Sequence, residues 1–378
     1  MHLKDVKGGK MENVLSLVML VFAALGALDR IIGNKLGIGA EFERGFSVFG
    51  NLALSMIGMI TLAPTFALWL EPVLPYFAKI GLDPSIVAGS LLANDMGGAS
   101  LADAVCADPT VGRWSGLVVG SMLGCTVSFT IPYALDLADR SIHREILVGF
   151  AAGIVTIPVG CFVGGLIGGV GIIPLLINSV PLVLISVLVA FLLVRKTELC
   201  VKIFAVLGKI MQIIITLGLA LGMTELVTGF ELLPALAPIG EGALVCFRAV
   251  TVLAGAFPLV SILSKLLGKP LARLGASLGI NEHSALGFLS TLASSTATFP
   301  LMEKMDSRGI VMNSAFAVSA SFLLADHLAF SLAHDSVFVF PMLAGKLTAA
   351  ALAVIIAFVI TKKKGASGED TPTPCEIK

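Results

Sequence analysis

One block of this chain occurs twice, and each copy carries a polar cluster inside an otherwise apolar stretch. The first copy follows Leu70 as EPVLPYFAKIGLDPSIVAGSLLANDMGGAS and ends at Ser100; the second follows Gly268 as KPLARLGASLGINEHSALGFLSTLASSTATFP and ends at Pro300. Pro72 pairs with Pro270, and Gly81-Leu82-Asp83 with Gly279-Ile280-Asn281, at an offset of 198. About two residues of slippage then bring Leu92-Ala93-Asn94-Asp95 onto Leu292-Ala293-Ser294-Ser295. Two halves of the chain therefore follow one plan.

The solvent for that plan is a bilayer. Hydrophobic residues make up 57% and charged residues 13% of the chain, with a mean hydropathy of +0.99, whereas soluble domains carry roughly a quarter charged residues. This is the composition of an all-α polytopic membrane protein. Net charge is zero and no basic face accumulates outside the loops, so nucleic acid is excluded as a partner class. The six cysteines, at 106, 125, 161, 200, 246 and 375, form no CxxC pair and have no histidine spacing that suggests a metal; they read as small buried hydrophobes. No cofactor motif is present.

The first apolar run, Val14 to Leu28, lacks a small-residue cleavage site and is followed by Asp29-Arg30, which makes it a retained span. Ten further runs lie near 46–69, 84–106, 112–137, 145–168, 171–194, 199–224, 243–267, 283–302, 309–333 and 336–361. If all eleven cross the membrane, lysine and arginine divide almost evenly between its faces, against the enrichment expected of short cytoplasmic loops. If 84–106 and 283–302 are instead re-entrant hairpins, one face keeps Lys4, Lys7, Lys10, Lys79, Arg113 and Arg248, Lys209 and Lys346 fall within spans, and the other 17 of the 25 basic residues collect on the opposite, cytoplasmic face. The asymmetry favours hairpins, and the same count has them entering from opposite sides. About nine spanning helices plus two broken hairpins in an inverted-topology repeat is the architecture of secondary transporters. The expected organisation is an N-terminal segment and first span at 1–44, a first repeat at 45–137, linking spans at 138–242, a second repeat at 243–335, a last span at 336–361, and a disordered cytoplasmic tail at 362–378 rich in small residues and proline.

Non-helical backbone deep in a membrane survives only where protein or a water-filled cavity satisfies it, so the hairpin tips are expected to wall a substrate site. The first tip offers Asn94, Asp95, Gly97 and Gly98: a carboxylate, an amide, and two glycines that let the chain break. A lone carboxylate in hydrocarbon is costly and needs a positive partner, which suits a cation; capping of the following half-helix is the structural alternative. The second tip offers Ser294, Ser295 and Thr296, whose hydroxyls serve equally well as backbone partners at a break or as ligand contacts. A third constellation, Asp326-His327, lies well inside the run 309–333 and supplies a second candidate anion with an imidazole that can carry protons or orient it; a buried structural pair is the alternative. His334-Asp335 reads as a solvated interface, and Asp306 or Ser307 as a helix cap. Glycine-rich runs such as Gly160 to Gly169 provide small-xxx-small spacing that can join helices within one protomer or between copies of a homo-oligomer. Two Trp and two Tyr argue mildly against an aromatic cage, although 22 Phe keep that option open.

The stretches GFSVFGNLALSMIGMITLAPTFA (45–67), SLLANDMGG (90–98), AGIVTIPVGC (152–161) and MDSRGIVMNSAFAVSASFLLADHLAF (305–330) resemble the ethanolamine permeases of the ethanolamine-utilization pathway, the EutH family. The resemblance covers nearly the whole chain and implies a multi-pass carrier or facilitator in the bacterial inner membrane that supplies ethanolamine to cytosolic breakdown. Asp95 and Asp326-His327 lie within the matching stretches.

Protonated ethanolamine is a small cation with one hydroxyl, so its site wants a carboxylate for the ammonium and amide or hydroxyl groups for the OH. Asp95 or Asp326 supplies the first; Asn94, Ser294, Ser295 and Asn313 are candidates for the second. A proton- or sodium-coupled carrier of another small polar solute is the alternative within transport. A membrane-embedded hydrolase built on Asp326-His327 is the alternative outside it, but no serine motif or metal-ligand set accompanies the pair.

Overall fold

The computed structural model describes residues 10–366, and these contain helices and no strand. Eight helices among them are long and apolar enough to cross a membrane: Val14–Ile31, Gly39–Leu70, Pro109–Leu137, Arg140–Ile167, Ile172–Arg195, Thr197–Thr228, Ile239–Leu278 and Ser336–Lys362. A ninth, expected over 309–333, is interrupted: Ser307–Ala320 gives way to a turn and resumes as Asp326–His334. Leu176, Val180, Leu184 and Val187 are exposed along one face of Ile172–Arg195, as side chains in contact with lipid should be. The last helix continues to Ala366, past the expected start of the polar tail; the remainder of that tail, 367–378, lies outside the described residues.

Neither of the segments 84–106 and 283–302 contains a helix long and apolar enough to cross. The first consists of Ser85–Leu91 and Gly98–Val105, seven and eight residues long; at 1.5 Å per residue each arm reaches only about 10–12 Å. The second consists of Glu282–Ala293, the short helix Ser295–Thr298 and a tight turn Pro300–Lys304. Each hairpin follows a long helix and packs on the helix that comes after it: the first lies between Phe49–Leu70 and Pro109–Leu137, the second between Ile239–Leu278 and Ser307–Ala320.

One aspartate ties the ends of each hairpin together. Asp83 accepts from the backbone N–H groups of Ser85 at 2.9 Å, Ala107 at 3.0 Å and Asp108 at 2.9 Å. Asp306 accepts from the Asn281 N–H at 2.9 Å and the Ser284 hydroxyl at 2.7 Å, and caps Ser307–Ala320 through the Gly309 N–H. These bonds satisfy N–H groups that helix starts leave open. On the first hairpin's side, His334 Nε2 bonds Asp103 at 2.8 Å and Arg113 pairs with Asp335 at 2.9 Å, so the partly exposed interface expected of His334-Asp335 also links the two repeats.

Glycine sets how closely the helices approach. Gly160 and Gly164 pack on the backbone of Gly345 and Pro341, so this glycine-rich face is consumed within the protomer. Within Pro109–Leu137 the chain winds as a wide π-type helix over Trp114–Gly124, and Gly124 lies directly against the Leu92 and Gly89 carbonyls of the first hairpin. A methyl group there has no free space. Gly124→Ala is expected to displace the hairpin and destabilise the protein by about 1–3 kcal/mol, as overpacking does. A fall in the melting midpoint of the detergent-solubilised protein checks this, and an unchanged midpoint would show that the hairpin is not seated on Gly124.

Candidate functional site

The two hairpin tips and the interrupted helix meet at one cavity of about 470 Å³. At the first tip the chain leaves the helix at Leu92 and Ala93 in extended conformation, makes one turn over Asn94–Met96, and re-enters at Gly97 with φ +95°. Only glycine takes that conformation without strain, and a side chain at 97 would also strike Met59. This turn delivers Asp95 to the cavity wall three residues before Gly98–Val105 begins. The capping alternative does not hold, because that helix start has no side-chain cap.

At the second tip Ser294 is extended, and its hydroxyl pairs with that of Thr296 at 2.6 Å on the cavity wall. The carbonyls of Thr291 and Leu292, left open where Glu282–Ala293 ends, accept from the N–H groups of Phe322 and Leu324 at 3.2 and 2.8 Å. Those donors belong to the break in the interrupted helix, where Phe322 adopts a left-handed φ of +59°. The break turns Asp326 and His327 toward the same cavity.

Five of the expected residues therefore line one space: Asp95, Ser294, Thr296, Asp326 and His327. Gly97 and Gly98 shape the first tip from behind. Asn94, Ser295 and Asn313 are fully buried off the cavity wall. The Asn313 amide instead clamps two helices, donating to the Ser284 and Gly309 carbonyls at 2.8 and 2.9 Å. The amide of Asn94 faces protein on all sides, because the turn at the tip sends neighbouring Asp95, not Asn94, into the opening.

Several lining groups went unread in the sequence. Phe129 stacks on Tyr133 with ring centres 4.5 Å apart and meets Phe322 edge-on at 5.7 Å, forming an aromatic wall that the scarcity of Trp and Tyr argued against. Arg44, from the short helix Gly39–Ser47, sits over the Phe257 ring at 4.7 Å and bonds Glu41 at 3.3 Å. Arg44 and Phe257 also line a second cavity of about 410 Å³ that runs out past Ser264 and Lys265, sharing Ala293 and Ser294 with the first. Behind the site, fully buried Lys346 donates to the Ser121 carbonyl at 2.7 Å and bonds His327 Nδ1 at 2.9 Å. His327 is thus held by Lys346 and not by its neighbour Asp326. A lone lysine in the apolar run of the last helix was the available signal.

Chemically the cavity offers two carboxylates, an imidazole, small hydroxyls and an aromatic wall. The carboxylates are close enough for their charges to interact, and the ammonium of Lys346 is within electrostatic reach of Asp95. A small organic cation matches this combination.

Comparison with known proteins agrees in kind. The family described as "Ethanolamine utilisation protein, EutH" matches residues 11–360. A probable ethanolamine permease of Listeria monocytogenes is 42% identical over 95% of this chain and 98% of its own length. The proteins of that name from Escherichia coli and Salmonella typhimurium are 37% and 38% identical, covering 95% and 94% of this chain and 98% and 97% of their own. No solved structure matches. A match over nearly the whole length, at this identity, places the chain in the EutH family of ethanolamine utilisation proteins.

Proposed function

We propose that this chain is a multi-pass membrane permease that takes protonated ethanolamine into the cytoplasm through the cavity between the two hairpin tips. The observation that carries the reading is the convergence of Asp95 and Asp326, one from each repeat, on one cavity. The relatives named as probable ethanolamine permeases supply the substrate. A carboxylate placed in hydrocarbon without a fixed partner is a cation site. The reading is of a transporter and not an enzyme, and its place is the bacterial inner membrane.

Alternating access follows from the repeat. Between the mouth of the first hairpin and that of the second lie five helices long enough to cross, from Pro109–Leu137 to Ile239–Leu278. An odd number of crossings puts the two mouths on opposite faces, which supports the inverted arrangement. The contacts Asp103–His334 and Arg113–Asp335 close the face of the first mouth. The second cavity leads from the tips toward Lys265, on the basic and therefore cytoplasmic face. This geometry corresponds to the inward-open state.

Acidic external pH is where such a protein matters. An alkyl amine titrates several units above neutrality, near pH 10, and its membrane-permeant neutral form falls tenfold for each unit that the pH drops. In proteoliposomes at pH 5–6, saturable uptake of labelled ethanolamine is expected for the wild type. Asp95→Asn and Asp326→Asn should each raise the half-saturating concentration about thirtyfold or more, the equivalent of about 2 kcal/mol for a buried charge pair. Uptake unchanged by both substitutions would remove the cation site from this cavity.

Cys125 gives an independent check, because it lines the same cavity. A small cationic thiosulfonate should modify it about tenfold or more faster than an anionic one of equal size, given the focusing effect of the two carboxylates. Ethanolamine should slow the reaction, and Cys125→Ser should abolish the inhibition it causes. The opposite ranking of the two reagents would contradict a negative cavity.

A further inference from the structure

A carboxylate recognises the ammonium of an amino alcohol but cannot tell it from a plain alkyl amine. The discrimination has to come from a group that senses the hydroxyl, and few groups on the cavity wall can do so. At the second tip the Ser294 and Thr296 hydroxyls bond each other. Such hydroxyls rotate to suit any neighbour, so they discriminate weakly. Tyr133 and Asn51 stand at the exposed rim of the cavity. His327 is different: it is 1% exposed, lies next to Asp326 on the cavity wall, and its ring is fixed by contact with Phe322 at 5.4 Å.

The state of that ring is set from behind. Lys346 is wholly buried, and its Nζ bonds the Ser121 carbonyl at 2.7 Å and His327 Nδ1 at 2.9 Å. A site holding two carboxylates needs a buried cation, and the charge of Lys346 acts on Asp95. An ammonium has three donors and no acceptor, so both bonds must run outward from it. Nδ1 then accepts, and the ring proton is forced onto Nε2. No hydrogen bond from Nε2 to any described residue is present, which leaves one donor unpartnered at the cavity.

We propose that Lys346 locks His327 in the tautomer protonated on Nε2, and that this N–H donates to the hydroxyl oxygen of the bound amino alcohol while Asp95 or Asp326 holds the ammonium. Lys346 is a positioning residue here and His327 the specificity-determining contact. The inference rests on the reading that the cavity receives an amino alcohol. It also explains why Lys346 sits in the last helix with no carboxylate of its own. An amine without the hydroxyl leaves the Nε2 donor buried and unpaired, which penalises the wrong ligand more than the right contact rewards the correct one.

Two measurements on the full-length protein test this. Selective ¹⁵N-histidine labelling, with the His327 signals assigned by their loss in His327→Phe, reads the tautomer directly. The wild type should show a bare Nδ1 and a protonated Nε2, and Lys346→Met should show a mixture. In proteoliposomes, ethylamine should compete with labelled ethanolamine about ten- to a hundredfold less well than unlabelled ethanolamine, and the gap should shrink to about threefold or less in His327→Phe and Lys346→Met, the loss expected for one buried hydrogen bond. 2-Methoxyethylamine, which keeps the acceptor oxygen, should compete better than ethylamine in the wild type only. A wild-type proton on Nδ1 would overturn the lock. Full discrimination by His327→Phe with saturable ethanolamine uptake would overturn the hydroxyl contact and leave the permease reading intact. Absence of wild-type uptake together with the expected tautomer would overturn the permease reading and support the lock.

Discussion

Everything near the cavity depends on how the backbone is satisfied where helices stop inside the membrane. Hydrocarbon offers no water to bond an open N–H or C=O, and each orphan costs several kcal/mol. The two breaks in the second repeat answer this by serving one another. Carbonyls freed at the end of Glu282–Ala293 accept N–H groups freed at the break after Ala320. Holding that exchange forces Phe322 into a left-handed conformation, a cost of order 1–3 kcal/mol that the surrounding bonds maintain. At the first tip the Ala93 carbonyl takes both the Met96 and Gly98 N–H groups, and Gly97 makes the turn possible. Backbone accounting therefore fixes the breaks, and the breaks fix where side chains can face a cavity.

The same breaks bring both carboxylates to the cavity wall. Asp95 lies in the short turn Asn94–Met96, three residues ahead of Gly98, and Asp326 is the first residue of Asp326–His334. Asp326 is thus at the amino end of a half-helix, where the peptide dipoles favour an anion. Neither spends its oxygens on a cap, so both retain lone pairs for a ligand. The two aspartates that do close backbone bonds, Asp83 and Asp306, lie at the hairpin mouths instead. The repeats use one residue type twice: at the mouth to seal a hairpin, and on the cavity wall with its carboxylate turned to open space.

Much of this was legible in the chain. The long apolar helices and the breaks near 84–106 and 283–302 follow from hydropathy and the internal offset, because a membrane restricts where a helix can stop. Asp95 and Asp326-His327 were legible for the same reason: charge in an apolar run has few innocent explanations. What failed was the direction of neighbouring side chains. Asn94 and Asp95 are adjacent and polar, yet one tight turn sends only the second into the cavity. Asn313 looked like a ligand group and is a clamp between helices. Arg44, Phe257 and the aromatic wall come from elements distant in sequence, and no local pattern links them to the tips. Lys346 carried a signal, but its partner could be known only once the last helix was docked against Ser121 and His327.

Charge and volume together say what the site can hold. The cavity is far larger than a two-carbon amine, so shape alone cannot select one. Selection has to be electrostatic and directional. Asp95 and Asp326 give the wall near the tips its acidic groups, with Lys346 behind them and Arg44 farther along the same wall, so the acidic end suits a monocation better than an anionic solute. Arg44, held over Phe257 where the two cavities join, adds a positive charge on the way out toward Lys265, so a cation leaving the tips passes from a negative to a positive surrounding. Retention is then strongest in the space between the carboxylates, and the hold weakens once a cation is displaced from them toward Arg44. A carrier for a dilute nutrient needs that asymmetry: capture must be strong enough to fill the site, yet local enough that a small displacement empties it.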